Sequence, residues 1–316
     1  MLKLRILAII TVVQSVLAVT KLPESAVECG KRNQSTMWPF HVGLYRAVGG
    51  ESLYFCGGTI VSRWHVVGAA HCVQPHTPEV LSVRYGTYDL AQPEEVARCG
   101  VSKIIVHPGY WAPDFHNDLA LLELRDPLPL GPLAQPVCLL PAGVDPVLHD
   151  PEGTRGISVG WGVGPQNIYT RVLLVSDLEV YPQSKCKELF AAKFFDDNEF
   201  FCAGKDGLRG CTAEMNFQIM MHVTVSVTPV CSGSGGSGFY VQVDGRYYLR
   251  GMTTFGIAAK GKYVCGLNTL TGLINMEQYT DWLQQRIAEH RPTPVPPLFT
   301  TPNSTAVDSA TNVDSK

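Results

Sequence analysis

Three short segments hold the side chains that could do chemistry. Ala69-Ala70-His71-Cys72 offers an imidazole, which exchanges a proton near neutral pH. Asn117-Asp118 offers a carboxylate, and Cys231-Ser232-Gly233-Ser234-Gly235-Gly236-Ser237-Gly238-Phe239 offers hydroxyl groups in a glycine-rich loop. An imidazole steadied by a carboxylate can take the proton of a hydroxyl and make it a nucleophile toward a carbonyl carbon. A histidine by itself is usually an ordinary surface or core residue. His71 is singled out by its company, Cys56-Gly57-Gly58-Thr59-Ile60 before it and Asn117-Asp118-Leu119-Ala120-Leu121-Leu122 after it.

In this order and company the segments resemble the chymotrypsin/trypsin-like serine proteases, over residues 38 to 290. Trp38-Pro39, Gly160-Trp161-Gly162, Phe201-Cys202-Ala203-Gly204 and Tyr279-Thr280-Asp281-Trp282 carry the resemblance further. The strings from Phe201 to Asp206 and from Gly238 to Gly251 look most like insect secreted non-catalytic members. The resemblance implies an all-β fold of two antiparallel six-stranded barrels with a C-terminal helix and a cleft between the barrels. It also assigns His71 as the general base and Asp118 as the carboxylate that orients it.

The third segment departs from the family pattern, Cys-x-Gly-Asp-Ser-Gly-Gly-x-[Leu/Phe]. Laid over it without a gap, the nucleophile falls on Gly235 and the preceding Asp on Ser234. Glycine has no group that can attack. Ser234 is the alternative nucleophile, but it would need one residue deleted after Cys231 and one inserted before Phe239. A one-residue slip of a strand-anchored loop also reverses every side chain. Ser237 lies two residues beyond the required place.

A second departure is independent of the first. Family zymogens are cut to free an Ile-Val-Gly-Gly-like end, whose ammonium pairs with the Asp before the serine. Here Cys29-Gly30-Lys31-Arg32 is followed by Asn33-Gln34-Ser35-Thr36-Met37, and Ser234 holds the Asp position. A neutral hydroxyl does not offset burial of an ammonium. The base of the specificity pocket falls on Pro229 or, if an insert is discounted, on Gly210, neither acidic. Thr254-Phe255-Gly256 stands where the family has Ser-Trp-Gly, the edge that pairs with a bound peptide. An ordinary core strand and a peptide-binding edge are both consistent with that segment.

The elements that must position these residues read as short strands. Alternation marks Phe40 to Tyr45, Leu81 to Tyr85, Lys103 to Val106 and Leu119 to Leu124, with Ile60-Val61 and Tyr247-Tyr248-Leu249 besides. Apolar residues at Met276, Tyr279, Leu283 and Ile287 predict one amphipathic helix. Hydrophobic residues make up 45% of the 316 and charged residues 17%, the balance of a globular chain. With a net charge of -3 and no Lys/Arg run, nucleic acid and anionic membranes are poor partners.

Residues 1–18 read as a secretory signal: Lys3 and Arg5, an apolar run, then Val16-Leu17-Ala18. Residues 19–37 form a short leader. Residues 291–316, rich in Pro, Thr and Ser, read as a disordered tail. In a secreted chain the ten cysteines are disulfide candidates rather than metal ligands. The family resemblance implies Cys56–Cys72, Cys186–Cys202, Cys231–Cys265 and Cys29–Cys138, and leaves Cys99 and Cys211 paired or free. Asn33 and Asn303 head glycosylation sequons. Residues 211–229 have no counterpart in the family, as a loop insertion or a retained intron. No metal or other cofactor is expected. The function expected is that of an inactive protease homologue. It would bind extracellular proteins, proteases or their substrates, in a cascade with a role in innate immunity.

Overall fold

A computed structural model describes residues 28–32, 38–91, 97–140, 152–162, 170–190, 196, 198–204, 234–256 and 270–289. The first barrel comprises β1 (His41–Val48), β2 (Glu51–Ser62), β3 (His65–Gly68), β4 (Leu81–Tyr85), β5 (Ala97–Val106) and β6 (Ala120–Leu124). They close in the order β1-β2-β3-β6-β5-β4. Gly49 and Gly50, both at positive φ, join Val48 to Glu51 as a two-residue hairpin turn whose backbone twist matches that of the strands. Inward residues such as Val42, Leu44, Ile60, Val83 and Leu121 leave no surface in water. Burial of that alternating face sets the register of each strand.

The second barrel comprises β8 (Arg155–Gly160), β9 (Leu174–Val180), β10 (Phe200–Gly204), β11 (Gly238–Val243), β12 (Arg246–Gly256) and β13 (Thr271–Asn275). Their order is β11-β8-β9-β10-β13-β12, and a β11–β12 pairing closes the ring. The long β12 makes closure possible, because it pairs with β11 from Arg246 to Met252 and with β13 from Gly251 to Gly256. Asp244 and Gly245, again at positive φ, make the tight turn from β11 to β12. The short β7 (Cys138–Leu139) adds in parallel to β12.

Between β3 and β4 lies the one-turn helix α1 (Ala70–Val73), and α2 (Gln183–Phe190) precedes β10. The single helix expected after Met276 is two elements: a 3-10 turn, Met276–Tyr279, then α3, Thr280–Glu289. The reason is local. The Asn275 side chain accepts from the Glu277 amide and tightens the first turn.

Disulfides join Cys29–Cys138, Cys56–Cys72 and Cys186–Cys202. The first anchors the leader, which also bonds the Gly30 amide to the Pro136 carbonyl and the Tyr247 amide to the Gly30 carbonyl. Gly30 sits at φ +71, and a Cβ there would fall 2.5 Å from the Tyr247 carbonyl oxygen, so only glycine fits. Cys99 is a free, buried thiol that donates to the Asp126 carbonyl oxygen at 3.3 Å. The signal (1–18), Asn33, Gly210, Cys211, the 211–229 stretch, Pro229, Cys231, Cys265, Asn303 and the tail lie outside the described residues.

A barrel closed this tightly leaves no room for a side chain at the glycine of β8 that faces Phe239. A Cβ at Gly156 in β8 would fall 2.7 Å from Cε1 and 2.8 Å from Cε2 of the fully buried Phe239. Gly156→Ala should therefore destabilise the protein by about 1–3 kcal/mol through overpacking. Urea unfolding of wild type and variant measures it.

Candidate active-site cleft

His71 and Asp118 meet because of strand pairing. β3 and β6 pair with Gly68 opposite Ala120, so residues just past the end of β3 face residues just before the start of β6. His71 stands on α1, and its neighbour Cys72 is tied to Cys56 of β2. The fully buried Asp118 uses both oxygens on one residue. Oδ2 accepts from His71 Nδ1 at 2.7 Å, and Oδ1 accepts from the His71 backbone amide at 2.8 Å. These two bonds fix the ring's direction and turn Nε2 toward the loop that precedes β11, with Cys72 Sγ 3.4 Å away.

That loop is held by backbone bonds on both sides. The Gly57 amide donates to the Gly235 carbonyl at 2.9 Å, and the Gly236 amide to the Thr253 carbonyl at 2.8 Å. The Thr253 amide returns to the Ser237 carbonyl at 2.9 Å. Gly236 needs its φ of +76, and a Cβ there would fall 2.5 Å from the Gly57 carbonyl oxygen. In this setting residue 235 faces the imidazole: a Cβ built at Gly235 lies 2.9 Å from His71 Nε2 and 3.2 Å from Cε1.

The neighbouring serines point elsewhere. Ser234 is buried, with its Oγ 3.6 Å from where a Cβ of Gly160 would be. Ser237 is fully buried, and its Oγ lies between Gly57 and Gly160, 2.5 Å from the position of a Gly160 Cβ. Among the described residues that hydroxyl has no hydrogen-bond partner, nor has either ring nitrogen of His41 beside Gly57. Burial lowers the His41 pKa to about 3, so the ring is neutral there. Gly233 lies outside the described residues.

Cys56, His71 and Cys72 bring three potential ligand atoms within 4.8 Å of one another. Both sulfurs are spent in their mutual disulfide, which removes the thiolates a metal would need.

Aromatic rings line the cleft beyond His71. Phe115 meets the imidazole edge-on at 5.6 Å and approaches Phe255 at 6.3 Å. Phe255 in turn packs against Phe190 and Phe200 at 5.0 and 5.3 Å. Thr254, Phe255 and Gly256 form the end of β12. A bulge skips Thr254, while Phe255 and Gly256 pair with Gly272 and Thr271. Among the described residues no strand pairs with the other edge of β12 beyond Thr253.

Sequence reasoning missed Phe115, and it missed a polar clasp on the same loop. Phe115 and Asn117 are at φ 61 and 52, a backbone state that residue type alone does not announce. Between and beside them, His116 Nδ1 donates to Glu199 Oε2 at 2.5 Å, and the Asn117 amide donates to Glu199 Oε1. The Tyr279 hydroxyl lies 3.2 Å from both Glu199 Oε1 and Asn117 Oδ1. Burial, then the Glu199 charge, push the Tyr279 phenol well above its ordinary pKa. The clasp ties the loop that ends in Asp118 to the second barrel.

The family model described as Trypsin matches residues 27–283. The chain is 26% identical over 276 residues to serine proteinase stubble of Drosophila melanogaster, covering 84% of this chain and 31% of that protein. It is 25% identical to clotting factor C of Tachypleus tridentatus, covering 82% of this chain and 25% of that protein. It is 27% identical to the venom peptide isomerase heavy chain of Agelenopsis aperta, covering 74% of this chain and 88% of that protein. The chain thus spans about a third or less of the longer curated relatives it matches.

The clasp should be visible in pH dependence. Burial opposes protonation of His116, but the bond to Glu199 and the charges of Glu199, Asp114 and Asp196 outweigh it and raise its pKa above 6.5. A raised folded-state value stabilises fully below pH 6.5, and the contribution is lost as pH rises through the folded value. Unfolding temperature measured across that range should fall more steeply for wild type than for His116→Asn. Parallel curves would remove His116 from the clasp.

Proposed function

This chain belongs to the trypsin-like serine protease family, and we propose that within it the protein is catalytically silent and acts by binding. The single observation that supports this reading is the 2.9 Å between His71 Nε2 and the place of a Cβ at Gly235. Residue 235 is where a nucleophile would meet the base, and it carries none. The alternative is an active endopeptidase in which Ser234, or Ser237, serves His71 and Asp118. It requires a hydroxyl oxygen at ~2.6–3.2 Å from Nε2. The Ser234 and Ser237 oxygens lie instead toward Gly160, and the backbone bonds of Gly235, Gly236 and Ser237 oppose the shift that would bring one forward.

The rest of the reading follows from the family and the sequence. Residues 1–18 serve as an export signal, and the disulfides suit an oxidising compartment. Among the described residues no helix is long and apolar enough to cross a membrane. The relative named as a clotting factor favours a role beside proteases of an extracellular cascade. The free edge of β12 at Thr254, Phe255 and Gly256 suits capture of an extended segment by strand addition, which needs only backbone groups.

Two measurements test the reading. A fluorophosphonate probe incubated with the purified protein should leave every serine unmodified by mass spectrometry; a labelled Ser234 or Ser237 would refute silence. Gly235→Ser by itself should not restore hydrolysis. In a working pair the oxygen stands ~2.6–3.2 Å from the base, yet here the Cβ takes that distance, with Cys72 Sγ only 3.3 Å away. The imidazole would have to retract, and Asp118 holds it. Turnover of a peptide library by that single variant would sink the argument.

A further inference from the structure

Three guanidinium groups far apart in sequence gather on the outer face of the first barrel. Arg84 of β4 and Arg98 of β5 stand directly opposite each other in register. Gly100 follows Arg98 on the same face, and a Cβ there would lie 3.4 Å from the Arg125 guanidinium carbon. The Arg84 guanidinium carbon sits 4.0 Å over the Tyr45 ring. Arg98 and Arg125 are exposed, but Arg84 is only 7% exposed and its Nε is buried without a hydrogen-bond partner among the described residues. No described residue forms an ion pair with any of the three. Glu79 feels Arg125 only as the least of its influences.

This arrangement is costly as it stands. Like charges directly opposite on neighbouring strands repel. The Arg84 cation rests over the Tyr45 ring and reaches its hydroxyl, yet it is withdrawn from water with no counter-charge among the described residues, a second cost. An oxyanion set against these forks offsets both costs, because a guanidinium group donates to a carboxylate bidentately. We propose that this face binds carboxylate side chains of an acidic segment in a partner polypeptide. A compact patch around one nearly buried arginine fits single carboxylates. Long polyanions draw affinity from many contacts along a track, which this patch does not offer. The inference stands apart from whether the cleft turns over substrate.

The test is fluorescence anisotropy of a fluorescein-labelled peptide alternating Glu and Gly, titrated with the full-length protein. Wild type should bind, more weakly as salt rises. Arg98→Ala should weaken binding about tenfold or more. Arg84→Met should abolish it while leaving the unfolding temperature unchanged or higher, since an unpaired buried cation is removed. Arg155→Ala, on β8 of the other barrel, should change nothing. Three results would overturn the proposal: no binding by wild type, binding indifferent to both Arg84→Met and Arg98→Ala, or displacement by a heparin oligosaccharide of a peptide that binds more weakly than it. A lowered unfolding temperature in Arg84→Met, reproduced by Glu94→Gln with Glu95→Gln, would also overturn it, because acids of the same chain would then be the partners.

Discussion

The bond from the Gly57 amide to the Gly235 carbonyl, with the Gly236–Thr253 bond beside it, governs what this cleft can do. It crosses from the first barrel to a loop of the second and sets which residue meets the imidazole. Close packing of Gly236 on the Gly57 carbonyl leaves the backbone no second seat. Residue 235 is therefore the one presented to the base, and the neighbouring hydroxyls are held toward Gly160. Ser237 makes the point plainly: it is buried two residues beyond Gly235, without a hydrogen-bond partner among the described residues, facing Gly57 and Gly160.

Retention of His71 and Asp118 needs no catalytic explanation. Asp118 is fully buried, and its two oxygens are occupied by two groups of one residue. Removing the imidazole would strip a buried carboxylate of one of its two bonds, and loss of one partner of a buried charge is strongly destabilising. The dyad thus also joins α1 to the segment before β6. The Glu199 clasp holds that same segment to the second barrel, and Phe115, just before it, closes against the imidazole. A loop fixed at both ends by polar contacts can carry the unusual backbone of Phe115 and Asn117.

Much of the fold was legible from residue pattern. Leu81–Tyr85 is the strand its alternation predicts, and Lys103 to Val106 lies inside the longer β5. Strand ends were less readable, since β2 begins at Glu51 on the strength of a two-glycine turn rather than of its own side chains. The family motifs located His71, Asp118 and Gly235, but the order in which side chains face one another came only from the backbone bonds. Glu199 could not have been found by spacing, because it meets His116 from another barrel through a short carboxylate contact. Nor could the basic face: the sequence has no Lys/Arg run, and Arg84, Arg98 and Arg125 become neighbours only when β4, β5 and the end of β6 pair.

Family zymogens order the loop before β11 by burying a new ammonium beside an aspartate, and here the corresponding position is Ser234. The bonds that seat residues 235 to 237 join neutral backbone groups: Gly57 to Gly235, Gly236 to Thr253 and Thr253 to Ser237. None draws on a new chain end. The leader meanwhile stays bound through Cys29–Cys138 and through Gly30 against Tyr247. Neutral bonds of this kind do not switch with proteolysis, because cutting after Arg32 supplies no group that they lack. The backbone of residues 235 to 237 is thus seated in the uncut chain without a new chain end.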